Sequence, residues 1–135
     1  MFGRDVTILG IHKLKIGANV YLAKGVWINA LGEVTLEDEI KVGPYSVITS
    51  TKLGFNNGSV FQGGTHFAPV LIKKGTWVAA HATIVAGVTV GQGCIIAANS
   101  VVVKRTSPNT ILSGVPAVQI AQRKDNPGLL GAKIG

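Results

Sequence analysis

Several things are scarce in this sequence. Its 135 residues include one cysteine, one methionine and only 14% charged side chains. The single thiol, Cys94, excludes an internal disulfide framework and a multi-cysteine zinc site, and fits a reducing, cytoplasmic setting. No apolar run approaches the ~18 residues that a membrane-spanning helix needs, so no transmembrane segment is expected. The start, Met1-Phe2-Gly3-Arg4-Asp5, lacks the charged-then-apolar layout of a secretion signal. Acidic residues are absent from Lys41 to Lys124, although the net charge is +7. With 47% apolar residues the chain is not disordered. Its length allows one domain, 1–135, and no second core.

The basic excess invites an anionic partner. The bases are scattered, however, and only Lys73-Lys74, Lys104-Arg105 and Arg123-Lys124 are adjacent. Without a basic run or interleaved aromatics, a nucleic-acid partner is not expected.

What the sequence has in plenty is valine and isoleucine, 30 together, and glycine, 18. β-branched side chains favour strands, and glycine favours tight turns. The combination predicts many short strands, many corners and little helix.

A period of six organises them. Stepping from Ile72 gives Val78, Ile84, Val90, Ile96 and Val102, all β-branched. Four residues after each anchor stand Thr76, Ala82, Val88, Cys94, Ser100 and Thr106, all small or medium. Such a period fits a solenoid in which each hexad makes one strand and one corner. Three hexads close a triangular coil, so 72–89 and 90–107 make two coils. Ile16, Leu22 and Ile28 begin a third, over 16–33, and after a slip of two residues Leu36, Val42 and Ile48 make another, over 36–53. Residues 6–15 read as an incomplete first coil, giving a β-helix of about five coils over 6–107. Residues 54–71 interrupt the pattern as an excursion loop, and long loops in compact repeat folds are usually functional. The segment 108–135 leaves the repeat, with a turn at Gly114-Val115-Pro116-Ala117, a short helix to Lys124 and a glycine-bearing tail. A prism ~24 Å tall, with strands ~4.8 Å apart and so much apolar residue, is expected to associate, and a trimer suits its three sides.

The hexad series, with Gly75-Thr76-Trp77-Val78-Ala79-Ala80, Ala86-Gly87-Val88-Thr89-Val90-Gly91, Ala97-Ala98-Asn99-Ser100-Val101-Val102-Val103-Lys104 and Ser113-Gly114-Val115-Pro116-Ala117, resembles the hexapeptide-repeat acyltransferases. The resemblance implies an all-β, left-handed parallel β-helix. It implies transfer of an acyl group, usually acetyl from acetyl-CoA, to a hydroxyl or amine, most simply O-acetylation of a sugar in polysaccharide biosynthesis. It further implies a homotrimer with the site between subunits, a histidine as general base, and no metal. The same fold carries other activities.

Histidine suits the base because it ordinarily titrates near neutrality. His66 lies at the end of the excursion, flanked by Gly63, Gly64 and Ala68-Pro69-Val70, where glycines allow close backbone approach to a ligand. His81 sits at a coil corner after Trp77-Val78-Ala79-Ala80, where it serves either the site or the corner. His12 lies in the ragged first coil. Many sugar-acetylating relatives carry their base directly after the coil that here ends Val47-Ile48-Thr49-Ser50-Thr51-Lys52, and this chain has Leu53 next. His66 therefore takes over from the loop, Lys52 acts as an alternative base or substrate contact, or the enzyme is inactive.

For the cofactor, the resemblance places Trp77 against the pantetheine arm. Ala79, Ala80, Ala97 and Ala98 are small enough to line its groove. Lys104 matches a family lysine that meets the nucleotide phosphates, and Arg105 stands beside it, with Arg123 and Lys124 as later basic positions. Asn56 is a turn residue or an acceptor contact. Glu33, Glu37-Asp38-Glu39 or Asn57 could orient the base. Cys94 reads as a buried, inert thiol. Three alternatives stay open: a non-catalytic β-helix scaffold, an N-acetyltransferase of an amino sugar, and a zinc lyase, which lacks its usual close histidine pair.

Overall fold

The computed structural model describes residues 1–128, so the tail over 129–135 lies outside the described residues. The chain winds through three parallel faces. The first stacks β1 (Thr7–Leu9), β4 (Trp27–Asn29), β7 (Val47–Thr49), β12 (Thr83–Ile84) and β15 (Val101–Val102). The second stacks β2 (Leu14–Ile16), β5 (Val34–Leu36), β10 (Val70–Ile72) and β13 (Thr89–Val90). The third stacks β3 (Tyr21–Leu22), β6 (Lys41–Val42), β11 (Trp77–Val78), β14 (Ile95–Ile96) and β16 (Thr110–Gly114), and β17 (Ala117–Gln122) closes its top. This is the expected all-β solenoid of about five coils. One 3-10 turn, Ile11–Lys13, is the only helical element among the described residues. No helix in them is long and apolar enough to cross a membrane.

The period of six works as the residues suggested. Ile72, Val78, Ile84, Val90, Ile96 and Val102 are all buried, and so are Thr76, Ala82, Val88, Cys94, Ser100 and Thr106. Register stacks like on like: Ile8, Ile28, Ile48, Ile84 and Val102 form one inward column. The β-branched side chains fill the interior, and the hydroxyls that share it bond to backbone, as Thr76 does to the Gly91 carbonyl at 2.9 Å. Two corners turn through one left-handed residue per coil. The corner from third to first face uses Asp5, Gly25, Tyr45, His81 and Asn99, and the corner from second to third uses Asn19, Glu39, Gly75, Gly93 and Asn109.

The slip of two residues before Leu36 is a corner from first to second face that is two residues longer, so the lower coils repeat every twenty residues, as the pairings Ile8 with Ile28 and Ile28 with Ile48 show. The structure corrects three details. The first coil is fuller than expected, since Phe2 already bridges Leu22. Ile16, an expected anchor, remains 36% exposed because β2 is the outermost strand of its face. Finally, the short helix expected before Lys124 is the strand β17. It pairs antiparallel with β16 across the turn at 115–116, which satisfies backbone groups that the last coil would otherwise leave open.

Candidate active site

The excursion grows from the corner that is already extended in the coils below. It leaves the coil three residues earlier than expected, because Thr51–Leu53 form β8, and it ends earlier, because Val70 and Leu71 already belong to β10. Its stalk is an antiparallel pair, β8 with β9 (Thr65–Phe67), in register Thr51 with Phe67, Lys52 with His66 and Leu53 with Thr65.

A buried polar network holds the base of this stalk. Asn29, 8% exposed, donates from Nδ2 to Thr51 Oγ1 at 3.1 Å, and its Oδ1 accepts the Leu31 amide. Ser50 Oγ donates to the Asn29 carbonyl at 2.7 Å and accepts the Gly32 amide at 2.8 Å. Thr49 and Thr51 hydroxyls meet at 3.2 Å. Sequence reasoning missed Asn29. The available signal was the polar triplet Thr49-Ser50-Thr51 at the foot of the excursion.

Directly opposite residues of an antiparallel pair share a face, so Lys52 and His66 project together. Two glycines make room beside them. A Cβ on Gly54 would stand 2.4 Å from His66 Nε2, and one on Gly63 would stand 1.9 Å from the Gly54 carbonyl oxygen. The imidazole therefore lies against bare backbone. It is exposed and makes no hydrogen bond within the described residues. At the tip, Asn57 and Gly58 have φ of 52° and 70°, and Asn56 and Ser59 exchange backbone bonds of 3.1 and 3.0 Å. Asn56 thus forms the tight turn that its sequence suggests.

Trp77, His81 and the alanines occupy other sides of the prism. His81 turns the corner between third and first faces at φ 59°, its ring stacked on Tyr45 with centroids 5.6 Å apart. Ala79, Ala80, Ala97 and Ala98 lie at that same corner, between β11 and β12 and between β14 and β15. Trp77, half exposed on the third face, divides two grooves. One, of about 370 Å³, is lined by Tyr21, Lys41 and Pro44; the other, of about 520 Å³, by Lys74, Gly93, Ile95 and Arg123. Lys104 and Arg105 follow β15 on the corner that carries the hairpin, two coils above it. One protomer thus brings Lys52, Asn56 and His66 onto one hairpin, and keeps Trp77, His81 and the alanines on other sides. His12 belongs to the exposed 3-10 turn.

Glu37 Oε1 accepts the Lys74 amide, Asp38 Oδ1 accepts the Ala18 amide, and Glu39 pairs with Lys74 at 3.7 Å, so this acidic run serves its own corner. Arg123 donates to the Gly93 carbonyl at 2.6 Å and pairs with Asp125. Cys94 is buried among Thr106, Ser107 and Thr110. Among the described residues no three His, Cys, Asp or Glu side chains cluster in a way that could hold a metal ion.

A three-faced hexad coil with one projecting hairpin and grooves on its flank is a repeat-built β-solenoid. Residues 69–104 match the family described as bacterial transferase hexapeptide (six repeats). The chain is 32% identical to WcaF of Escherichia coli K12, named for an acetyltransferase role in colanic acid biosynthesis, over 86% of this chain and 73% of that one. It is 29% identical to the galactoside O-acetyltransferase of the same organism, over 83% of this chain and 55% of that one. A galactoside acetyltransferase solved in complex with coenzyme A superposes with TM-score 0.84 at 26% identity, covering 92% of this chain and 65% of that chain. The chain belongs to the hexapeptide-repeat acetyltransferase family.

Proposed function

We propose that this protein transfers acetyl from acetyl-CoA to a hydroxyl of a sugar acceptor, in biosynthesis of a surface polysaccharide or glycoconjugate in the cytoplasm. The observation that carries this reading is the hairpin that holds His66 beside Lys52 over the Gly54–Gly63 backbone. Named relatives supply the acyl donor and the acceptor class: one is a galactoside O-acetyltransferase, and a galactoside acetyltransferase has been solved with coenzyme A.

In this mechanism His66 takes the proton of the acceptor hydroxyl. The oxygen attacks the thioester carbonyl, and the Lys52 ammonium faces the negative charge that develops on the carbonyl oxygen. The C–S bond then breaks, and the thiolate of coenzyme A takes the proton back from the imidazolium. The products are an acetyl ester and free coenzyme A. Asn56 at the hairpin tip contacts the acceptor.

The donor groove lies along Trp77, Ala79, Ala80, Ala97 and Ala98, with His81 at its corner and Lys104 and Arg105 toward the nucleotide. On one prism this groove and the His66 hairpin are on different sides, so the site is completed between two copies of a homotrimer. The exposed apolar side chains of the hairpin support such packing: Leu53, Phe55, Phe61 and Phe67 are each more than half exposed, Phe61 at 95%.

The test is acetyl transfer from labelled acetyl-CoA to a panel of sugars, with sedimentation to read the assembly. A trimer whose turnover falls about 100-fold or more on His66→Ala supports the reading. A trimer that neither binds acetyl-CoA nor turns over any acceptor overturns it and leaves a scaffold.

A further inference from the structure

The second face ends differently from the other two. Above β13 there is no further strand; residues 105–108 cross it as a strap. The Thr106 amide donates to the Thr89 carbonyl at 3.1 Å, and the Gly91 amide donates to Thr106 Oγ1 at 2.8 Å. A Cβ on Gly91 would stand 2.8 Å from the Thr106 carbonyl oxygen, so strap and coil touch through backbone. Beside this contact a cleft of about 400 Å³ opens, lined by Lys73, Thr89, Gln92, Arg105 and Ser107 among others.

Lys73 stands where the top and bottom coils of this face have glycine. On this face the residue after the inward anchor is glycine in Ile16-Gly17 and Val90-Gly91, glutamate in Leu36-Glu37, whose carboxylate accepts the Lys74 amide, and lysine in Ile72-Lys73. Its side chain is partly buried and enters the cleft from one side, and Arg105 enters from the strap. Arg105 also borders the neighbouring cleft with Lys104, whereas Lys73 does not. No carboxylate lines the cleft, and neither cation forms an ion pair among the described residues. Two unpaired cations sharing a recess raise its potential and favour an anion, and hydroxyls of Thr89 and Ser107 with the Gln92 amide add donors.

We propose that the cleft between Lys73 and Arg105 is a phosphate-binding site. Its chemistry is that of a phosphate monoester or diphosphate, held by the Arg105 fork and the Lys73 point charge. The phosphate comes either from the nucleotide end of coenzyme A or from a phosphorylated acceptor such as a nucleotide sugar. The site shares Arg105 with the donor groove proposed above, and the naming of its phosphate source rests on that reading; the pyrophosphate titration tests the site without acetyl transfer.

Calorimetric titration with inorganic pyrophosphate tests it on the full chain, using wild type, Lys73→Gln, Arg105→Gln and, as a control on the same face, Lys15→Gln. The expected result is saturable binding near one per chain, weakened at least tenfold by Lys73→Gln and by Arg105→Gln and unchanged by Lys15→Gln. No binding by wild type, or equal loss in all three variants, overturns the site. The same proteins are then titrated with coenzyme A, 3′-dephospho-coenzyme A and a nucleoside diphosphate. Weaker coenzyme A binding in Lys73→Gln, with dephospho-coenzyme A unaffected, supports the site and assigns it to the 3′-phosphate. A loss confined to the nucleoside diphosphate supports it and assigns it to the acceptor. If Lys73→Gln binds all three ligands as wild type does, the site is overturned even where acetyl transfer is intact.

Discussion

Gly54 has no Cβ where His66 has its imidazole: a methyl group on Gly54 would stand 2.4 Å from His66 Nε2. The hairpin therefore fixes the histidine through what its neighbour lacks. Gly54→Ala pushes the ring out of place, and it also crowds the Gly63 carbonyl, which would lie 2.7 Å from the new Cβ. Misplacing a reacting group by about 1 Å costs about 100-fold in rate. The expected outcome is a loss of turnover on that scale with the assembly and far-UV spectrum retained. Wild-type turnover in Gly54→Ala would remove His66 from the reaction.

Trp77 and Ile84 separate binding from folding. Trp77 is 50% exposed on the third face, whereas Ile84 is fully buried in the inward column of the first. Ile84→Ala should cost about 2–5 kcal/mol, because a closed stack of coils relaxes little around a cavity. Trp77→Ala should leave the denaturation midpoint nearly unchanged and raise the KM for acetyl-CoA. Chemical denaturation alongside steady-state kinetics reads both. An unchanged KM would place the donor elsewhere.

His81 holds a left-handed backbone conformation with φ 59°, and its ring stacks on Tyr45. Asparagine adopts that conformation readily, and its equivalent one coil up is Asn99. His81→Asn should therefore lose only the aromatic pairing, about 0.5–1.5 kcal/mol. His81→Ala adds a backbone penalty of about 1 kcal/mol. If His81 only lines the donor groove, neither variant changes kcat by more than a few-fold. A loss as large as that of His66→Ala would make His81 the base.

The coil was legible because its chemistry repeats. Six β-branched anchors at a fixed spacing leave one solution, and all six point inward. The hairpin was legible only as an interruption. Its limits moved because Thr51-Lys52-Leu53 continues the coil's strand character while bonding to a different partner, Thr65–Phe67. The helix expected before Lys124 failed for the same reason: local pattern cannot show that β16 offers an open edge. His66 and Asn56 were legible from their setting in the excursion and Lys52 from the coil end before it, and one hairpin carries them all. Asn29 was not read, because a buried amide inside a strand has no local mark. Its meaning comes from Thr51, 22 residues away.

That amide supplies the last prediction. Asn29 links two coils to the stalk: its Nδ2 holds Thr51 Oγ1 and its Oδ1 holds the Leu31 amide, and Ser50 ties into the same corner. Asn29→Ala leaves the part-buried Leu31 amide without its acceptor and Thr51 Oγ1 with Thr49 alone, which costs about 1–3 kcal/mol. The loss falls at the foot of the hairpin, so local opening should increase there before the coil unfolds. Phe55 and Phe61 are exposed on the hairpin and offer chymotrypsin its cut sites. Limited proteolysis should therefore nick Asn29→Ala between β8 and β9 faster than wild type, leaving two fragments that remain associated through the coil. Hydrogen exchange of the Leu31 and Gly32 amides should rise in parallel. Equal nicking rates in the two proteins would mean that the β8–β9 ladder alone holds the hairpin, and that the polar corner beneath it does not.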